Sequence, residues 1–432
     1  MIVSDSLNVN ERGNLSISGA DCVELAKEYG TPLYVMSENG IRRNMQSFKN
    51  SIDEYYSGNG LVLYASKTFS CKEIYRIAKS EGLGIDVVSG GELYTALSAD
   101  FPSDRIYFHG NNKTEDEIKF AIKSDVASII VDNFEELYRV NKIAEKFNKT
   151  VKIMFRIKPG IDAHTHEFIM TGQIDSKFGF ALETSEAMSA VKETLNLKNV
   201  ILDGVHCHIG SQIFDEEPFM AAADVMIKFI ADIKKETGIE IKKLNLGGGF
   251  GIKYVEDDKA LPFQNYMKQV SKVVEDKCRE YDVAMPFVLI EPGRSIVGSE
   301  GITLYTVGSV KEIKNIRKYV AIDGGMTDNP RYALYGAVYT ALIANKANEN
   351  ADDVVTIAGR CCESGDLIQK DTKLQKAEEG DILAVLSTGA YNYSMASNYN
   401  RLPKPAVVMV DNGISRIIVK RETYEDLIKN DI

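Results

Sequence analysis

Residues 60–69 read GLVLYASKTF, an apolar run that stops at Ser66 and Lys67. A short run of this kind, bounded by a glycine and by polar residues, is typical of a strand that is buried on both faces of a parallel sheet. The turn after it reads SKTFSC and lacks the GxGxxG pattern that opens a dinucleotide-binding sheet. The next stretch, 71–80, has helical periodicity, so this part of the chain is predicted to form a strand, a turn and a helix.

The same alternation continues to about residue 291. Apolar strand candidates occupy eight segments: 61–66, 84–88, 105–109, 128–132, 151–157, 200–208, 241–246 and 286–290. Amphipathic helical patterns lie between them, at 71–80, 114–122, 134–147, 184–195, 219–237 and 263–281. Eight strand–helix units in roughly 250 residues favour a (β/α)8 TIM barrel over a doubly wound open sheet. We therefore predict an α/β fold with a barrel over residues 37–292.

The chain outside this region has a different pattern. Short alternating runs, typical of antiparallel strands, lie at 302–307, 319–322, 354–358, 382–386, 406–410 and 417–419. The first 36 residues offer a strand near 15–17 and a helix over 21–30. These observations predict a second, mostly antiparallel β domain that is discontinuous, formed by residues 1–36 and 293–432.

Composition limits the class of partner. The formal net charge is −11, and 44% of the residues are hydrophobic. An acidic surface repels nucleic acid and anionic lipid, and no apolar run approaches the roughly 20 residues that span a bilayer. We therefore expect a small-molecule partner, with no nucleic acid and no membrane. The six cysteines are scattered and the first residues lack a signal-peptide pattern, which together favour reduced thiols in the cytoplasm.

Active-site residues of a TIM barrel lie at the carboxyl ends of its strands. Polar or glycine residues follow or end every predicted strand, in the order Lys67, Asp86, His109, Asp132, Arg156, His208, Gly247–Gly249 and Glu291. A lysine at the mouth of an apolar strand is partly desolvated, which lowers its pKa and makes it an amine nucleophile. The alternative is a lysine that extends from a strand end into water.

Two motifs near the later strands suggest a phosphorylated, planar ligand. LNLGGGFG, residues 244–251, has three consecutive glycines that let backbone N–H groups approach a phosphate, although a tight turn alone would also need glycine. HCHIGSQ, residues 206–212, places two histidines on one face of a strand. Further metal ligands are not evident, so we expect no metal and favour a histidine stacked on a cofactor ring, with Ser211 near its phosphate.

Glu291 and Arg294 belong to EPGRS, residues 291–295. A carboxylate aimed at a pyridine nitrogen keeps that nitrogen protonated, and an arginine can bind a carboxylate in a bidentate manner. The alternative is a surface ion pair. Three further segments are weaker and each also fits a structural role: DNPRYALYGA with Arg331 and Tyr335, CCESGD with Cys362 and Glu363, and TGAYNYS with Tyr391.

The motifs together resemble the diaminopimelate decarboxylases, a family of pyridoxal-phosphate (PLP) enzymes with the alanine racemase-like fold called type III. The resemblance covers nearly the whole chain and runs in the family's order through YASK, DVVSGGEL, DAHTHEFIMTG, SKFG, HCHIGSQ, LNLGGGFGIKY, EPGRSIV, MTDNPRYALYGA, CESGD and GAYNYSMASNYN. It implies a PLP cofactor and a homodimer.

The resemblance also implies roles for particular residues. Lys67 holds PLP as a Schiff base, His208 stacks on its ring, and Glu291 pairs with the pyridinium nitrogen. The remaining cofactor contacts implied are Ser211, Gly248, Gly249, Pro292, Gly293, Arg294 and Tyr391. The substrate contacts implied are Arg294, Arg331, Tyr335, Glu363 and Tyr391. Cys362 protonates the carbanion, and both Cys362 and Glu363 reach the site from the partner subunit. The catalytic residues implied are Lys67, His208 and Cys362.

The reaction implied is decarboxylation of meso-2,6-diaminopimelate to L-lysine and CO2, the last step of lysine biosynthesis. Two arginines suit a substrate that keeps a carboxylate, which ornithine lacks. An ornithine- or arginine-type decarboxylase of the same fold is the nearest alternative. A racemase would need a tyrosine acid opposite the lysine, and a non-catalytic regulator would be expected to have lost Lys67 or Cys362.

Overall fold

The computed structural model describes residues 3–161 and 176–432. The chain divides into two compact units. The first comprises residues 1–44, 252–259 and 294–432, and the second comprises residues 45–251 and 260–293. Each unit has its own main sheet.

The second unit is a closed barrel of eight parallel strands. In chain order they are β1 (Gly60–Ala65), β2 (Gly84–Val87), β3 (Ile106–Phe108), β4 (Ser128–Val131), β5 (Val151–Lys158), β6 (Val200–Cys207), β7 (Lys243–Asn245) and β8 (Phe287–Ile290). Each strand pairs with the next, and β8 pairs with β1, which closes the sheet. A short strand, Phe180–Ala181, adds to β5. The predicted TIM barrel is therefore confirmed and the open doubly wound sheet is excluded.

Helices connect the barrel strands on the outside. They span Glu38–Tyr55 before β1, then Lys72–Ser80, Gly90–Leu97, Glu115–Lys123, Phe134–Lys146, Glu186–Thr194, Glu217–Thr237 and Phe263–Glu280. Local signals set their ends: Thr114 and Glu117 form a reciprocal capping box, and Gly238 ends its helix with a left-handed φ of 74°. The helices Glu38–Tyr55 and Gly90–Leu97 were not predicted, and the second of these begins with two glycines, which are poor helix formers.

The barrel interior is filled by side chains. Leu63, Tyr107, Ile130, Met154 and Leu289, from five strands, form one buried cluster. Burying a side chain of this size contributes roughly 1.5–3 kcal/mol. The apolar character of the strands thus follows from burial on both faces, and polar residues are left to the strand ends.

The first unit contains a mostly antiparallel sheet. Its strands are Leu33–Ser37, Gly301–Ile313, Arg317–Ile322, Ala341–Ile343, Asp353–Ala358, Leu367–Leu374, Ile382–Val385, Ala406–Asp411 and Ile414–Val419. Two pairings are parallel, Arg317–Ile322 with Asp353–Ala358 and Leu33–Ser37 with Ala406–Asp411. The predicted β-rich character is confirmed, although Leu33–Ser37, Ala341–Ile343 and Leu367–Leu374 were missed.

The ends of the chain belong to the same unit. A three-stranded sheet of Leu7–Val9, Leu15–Ile17 and Ala20–Asp21 precedes a helix over Cys22–Tyr29. Short helices span Arg294–Val297, Arg331–Tyr335 and Tyr424–Ile428. None of the helices in the described ranges combines the length and apolar character needed to cross a bilayer.

Candidate active site

The carboxyl ends of the barrel strands carry the residues that the sequence singled out there. Lys67 lies in a single 3-10 turn, Ser66–Thr68, directly after β1. Thr68 Oγ1 donates to Ala65 O at 2.7 Å, and Ser66 and Thr68 are buried, whereas the Lys67 side chain is exposed. The turn is therefore held by its buried neighbours, while Lys67 itself is exposed.

Pro292 and Gly293 pack against this turn. The Ala65 N–H donates to Pro292 O at 3.1 Å, and a Cβ on Gly293 would lie 2.6 Å from Thr68 Cγ2 and 2.7 Å from Ala65 Cβ. A side chain at position 293 would displace the lysine turn. The predicted residues Lys67, Pro292 and Gly293 are thus brought together by the closure of β8 onto β1.

The positive charge of Lys67 affects the pKa values of two acidic residues, Asp86 and Glu92. Burial and the charge of Glu291 raise the pKa of Asp86 to about 6, and Lys67 opposes this rise. Burial raises the pKa of Glu92 to about 7, and the charge of Lys67 again acts in the opposite direction by lowering it. Asp86 was noted at a strand end and Glu92 belongs to the DVVSGGEL motif, but neither residue was given a role.

The three glycines after β7 lie against neighbouring backbone. A Cβ on Gly248 would be 2.1 Å from Glu291 O, and a Cβ on Gly249 would be 2.5 Å from Gly210 O. The Gly247 N–H donates to Asn245 Oδ1 at 2.9 Å and the Gly248 N–H to His208 Nδ1 at 3.3 Å. Two of the three N–H groups therefore have protein partners, so an anion at this loop would draw on Gly249 and the residues beside it.

His208 follows β6 and is partly exposed. Burial of the ring, together with the positive charges of Lys67 and Arg156, holds the pKa of His208 well below its ordinary value. Because Nδ1 accepts the Gly248 N–H, the neutral ring carries its proton on Nε2. A neutral imidazole fixed in this way suits stacking on an aromatic ligand. Ser211 lies three residues further along the same loop.

Glu291 is surrounded by polar side chains from three other strand ends. Asn245 Nδ2 donates to its Oε1 at 2.7 Å, His109 Nε2 lies 2.8 Å from the same oxygen, and His206 Nε2 lies 3.3 Å from Oε2. Burial alone would raise the pKa of Glu291, but the contacts with His109 and His206 outweigh it and hold the pKa well below its ordinary value. Glu291 is an anion at neutral pH.

His109, His206 and Glu291 bring possible metal-ligating atoms within 4.8 Å of one another in the described part of the chain. The alternation in HCH placed His206 and His208 on one face, and the structure separates them: His206 turns to Glu291 and His208 to Gly248. The expectation that the site holds no metal stays a prediction.

The other predicted residues lie in the first unit, where Tyr391 is the centre of a cluster. The guanidinium carbons of Arg294 and Arg331 lie 4.8 and 5.5 Å from the centroid of its ring. Arg294 is buried and donates through Nη1 to Tyr254 Oη, and Arg331 also lies 5.3 Å from the Tyr335 ring. Arg331 Nε is a buried donor with no hydrogen bond among the described residues. Arg294, Arg331, Tyr335 and Tyr391 thus form a cationic, aromatic cluster, with Tyr254 as a member that the sequence did not indicate.

Cys362 and Glu363 lie in an exposed loop of the same unit. The Cys362 N–H donates to Asn400 Oδ1 at 2.7 Å. Buried Asp366 accepts the N–H groups of Cys361 and Met326, each at 2.6 Å. The loop backbone is therefore fixed, and both predicted residues are exposed, with Glu363 Oε1 accepting the Gly365 N–H at 3.1 Å. The DAHTHEFIMTG motif, residues 162–172, lies outside the described residues.

A family model, curated relatives and solved structures all match this chain to the same family. Residues 38–298 match the family model described as pyridoxal-dependent decarboxylase, pyridoxal binding domain. A diaminopimelate decarboxylase of Bacillus methanolicus is 50% identical over 98% of each chain, and that of Bacillus subtilis is 48% identical over 100% of this chain and 98% of its own. A crystal structure of diaminopimelate decarboxylase from M. jannaschii in complex with L-lysine superposes with a TM-score of 0.92, at 39% identity, over 100% of this chain and 99% of that one.

Proposed function

This chain belongs to the diaminopimelate decarboxylase family of pyridoxal-dependent decarboxylases, and on that basis we propose that it converts meso-2,6-diaminopimelate to L-lysine and CO2. The resemblance read from the sequence motifs is confirmed by these matches over the whole chain. The observation that carries the proposal is the placement of Lys67, His208 and Glu291 at the carboxyl ends of β1, β6 and β8 of one barrel. This reaction is the last step of lysine biosynthesis.

The barrel residues fit PLP. Lys67 is exposed and offers its amine to the aldehyde of PLP. His208 offers a neutral imidazole on which the pyridine ring of PLP can stack, and Glu291 offers an anion to the pyridine nitrogen. The glycine loop has no room for a Cβ at Gly248 or Gly249, and Gly249, which is partly exposed, is the glycine of this loop that we propose as the donor to an anion. PLP would supply an electron sink for the bond that breaks to release CO2.

The protein's own groups then have separate tasks. Lys67 Nζ would hold the cofactor. His208 would fix the plane of its ring, and the anionic Glu291 would keep a proton on the ring nitrogen, which favours electron withdrawal from the reacting carbon. Ser211, Gly248, Gly249, Pro292, Gly293, Arg294 and Tyr391 are proposed as further cofactor contacts.

The cluster around Tyr391 is proposed to select the substrate. Arg294, Arg331, Tyr335 and Tyr391 would hold the carboxylate that survives the reaction, because a planar guanidinium binds a carboxylate through two parallel N–H bonds. Glu363 would bind the remote ammonium. Cys362 Sγ would hold the proton that replaces the lost carboxylate. Cys362 and Glu363 are exposed on the single chain. This exposure supports the proposal that each subunit of a homodimer supplies these two residues to the active site of its partner.

The remaining assignments are also proposals. We assign residues 37–292 to the PLP-binding barrel and residues 1–36 and 293–432 to the β-rich domain. We place the enzyme in the cytoplasm, which is supported by six free thiols. An acidic chain of net charge −11 supports a small-molecule partner in place of nucleic acid.

Product formation tests the proposed substrate directly. Purified protein with added PLP is offered meso-diaminopimelate, ornithine and arginine in separate reactions, and products are measured by chromatography. Lysine from diaminopimelate, with no product from the other two, is expected because only diaminopimelate keeps a carboxylate for the two arginines. Turnover of ornithine or arginine instead would keep the fold and the Lys67 role but overturn the substrate.

Replacing Arg331 with Ala is expected to raise KM for diaminopimelate by about 10²-fold while PLP remains bound, because two charge-assisted hydrogen bonds to the substrate are lost. Steady-state kinetics and the absorbance of bound PLP measure the two effects. Arg317→Ala is the matched control, since Arg317 lies in the same unit and pairs with Asp371 at 3.2 Å. Loss of PLP from the Arg331 variant would contradict a role confined to substrate.

A further inference from the structure

Glu291 receives more polar contacts than a counter-ion for one ring nitrogen requires. Its side chain is 7% exposed, and three groups from separate strand ends face its two oxygens: Asn245 at the end of β7, His109 after β3 and His206 in β6. We call Asn245, His109 and His206 the Glu291 clamp. A buried carboxylate without such partners takes up a proton, because burial disfavours its charge.

The orientation of Asn245 is fixed by a second bond. Its Oδ1 accepts the Gly247 N–H at 2.9 Å, so the amide group must point its Nδ2 donor at Glu291 Oε1, at 2.7 Å. A flipped amide would place two oxygens together and leave the Gly247 N–H facing a donor. The same residue therefore shapes the glycine loop and holds the carboxylate.

The two histidines approach from the barrel interior. Their rings meet edge to face with centroids 4.9 Å apart, and His206 is fully buried. Burial lowers the pKa of His206 to about 4, so at neutral pH it acts on Glu291 as a neutral donor through Nε2–H, with Nδ1 unprotonated. Nδ1 has no hydrogen bond among the described residues, which agrees with that tautomer. His109 Nε2, at 2.8 Å, lies close to Oε1 but off the ideal hydrogen-bonding direction.

From this geometry we infer that His109, His206 and Asn245 are positioning residues that keep Glu291 deprotonated and aim its remaining lone pairs at the cofactor's ring nitrogen. The inference rests on the proposed function in one respect, that PLP binds at the barrel mouth. The proton between Glu291 and the ring nitrogen goes to the stronger base. Each donor to Glu291 weakens that carboxylate as a base, so the clamp leaves the proton on the ring.

The test uses the holoenzyme loaded with PLP that carries 15N at the ring nitrogen. The 15N chemical shift, recorded without substrate, reports whether that nitrogen is protonated. His206→Met removes the Nε2–H donor at similar volume, and His206→Gln keeps an amide donor near the same place. We expect the wild-type resonance at the protonated position, a displacement toward the neutral position in His206→Met, and a return in His206→Gln. A hydrogen bond to a charged group changes such an equilibrium by about 10- to 100-fold, and kcat should fall by a similar factor with KM little changed.

His109→Met tests the second histidine on an independent strand and keeps the inference open to test if the His206 variant fails to fold. Tyr107→Phe is the control: it removes a buried hydroxyl from the barrel interior, beside Lys243, and should leave the resonance unchanged. A wild-type 15N shift in both methionine variants would overturn the clamp. Because the resonance is recorded without substrate, a failed product assay with a displaced resonance would count against the proposed substrate and leave the clamp supported.

Discussion

Lys67→Ala is expected to lower kcat by about 10³-fold or more, because the variant has no amine with which to hold the cofactor covalently. Stability should change by less than about 0.5 kcal/mol, since the Lys67 side chain is exposed while the turn around it is fixed by Ser66 and Thr68. The measurements are kcat with saturating PLP and peptide mass spectrometry after borohydride reduction. The wild-type enzyme should carry the reduced cofactor on Lys67.

Lys67→Arg is the matched control for charge. It keeps the positive charge that opposes the raised pKa values of Asp86 and Glu92, but its guanidinium does not condense with an aldehyde. Both variants should therefore lose activity to a similar extent. Near-normal kcat in Lys67→Ala, or reduced cofactor found on another lysine, would contradict the assignment of Lys67.

Lys113→Met is expected to destabilise the barrel by about 3–5 kcal/mol, because it leaves a buried carboxylate without its partner. Lys113 Nζ lies 2.6 Å from Glu136 Oε1, and their side chains are 1% and 2% exposed. The same ammonium donates to Gly110 O at 2.8 Å and to Ile130 O at 2.6 Å. Glu136 in turn accepts the Asp132 N–H, which fixes the end of β4.

Urea unfolding at constant m-value measures this loss. Lys119→Met is the control, because Lys119 makes an exposed i,i+4 pair with Glu115 and its removal should cost less than about 0.5 kcal/mol. Replacing both partners, Lys113→Met with Glu136→Leu, should recover much of the stability, since no charge is then buried. Equal midpoints for Lys113→Met and Lys119→Met would refute the argument.

The pH dependence of the Lys113 variant has a definite sign. Burial raises the pKa of Glu136 above its ordinary value, and Lys113 opposes this rise. Without Lys113 the folded-state pKa rises further above the unfolded value, so the folded state binds a proton more readily. Stability from that proton is present at low pH and is lost as pH rises through the folded pKa. The deficit of Lys113→Met should therefore be smaller at mildly acidic pH than at pH 7.5.

Much of the barrel could be predicted because its signals are local. The apolar run at 60–65, the similar runs after it and the helical stretches between them depend on short-range periodicity, which survives in the sequence alone. The predicted strands at 128–132 and 151–157 agree with Ser128–Val131 and Val151–Lys158 to within one residue at each end. The helix Gly90–Leu97 was missed because its first two residues have low helix propensity and its stability comes from packing.

The placement of candidate residues at strand ends was predictable for a similar reason. Once a barrel is accepted, chain order alone puts Lys67, His208 and Glu291 on one rim. Their identity as cofactor residues came from the motifs and the family resemblance. Neither source gave a role to His109, Asn245 or Glu92.

The sequence by itself therefore determined the alternation of strands and helices, the residues on the barrel rim and the family. Only the tertiary structure decided the surroundings of Glu291, because the closure and register of the barrel bring β3, β6 and β7 to β8. It also decided that Tyr391 lies beside both Arg294 and Arg331, since these contacts join segments far apart in the chain. Local periodicity carries no information on such contacts, and their distances and burial set which groups are charged.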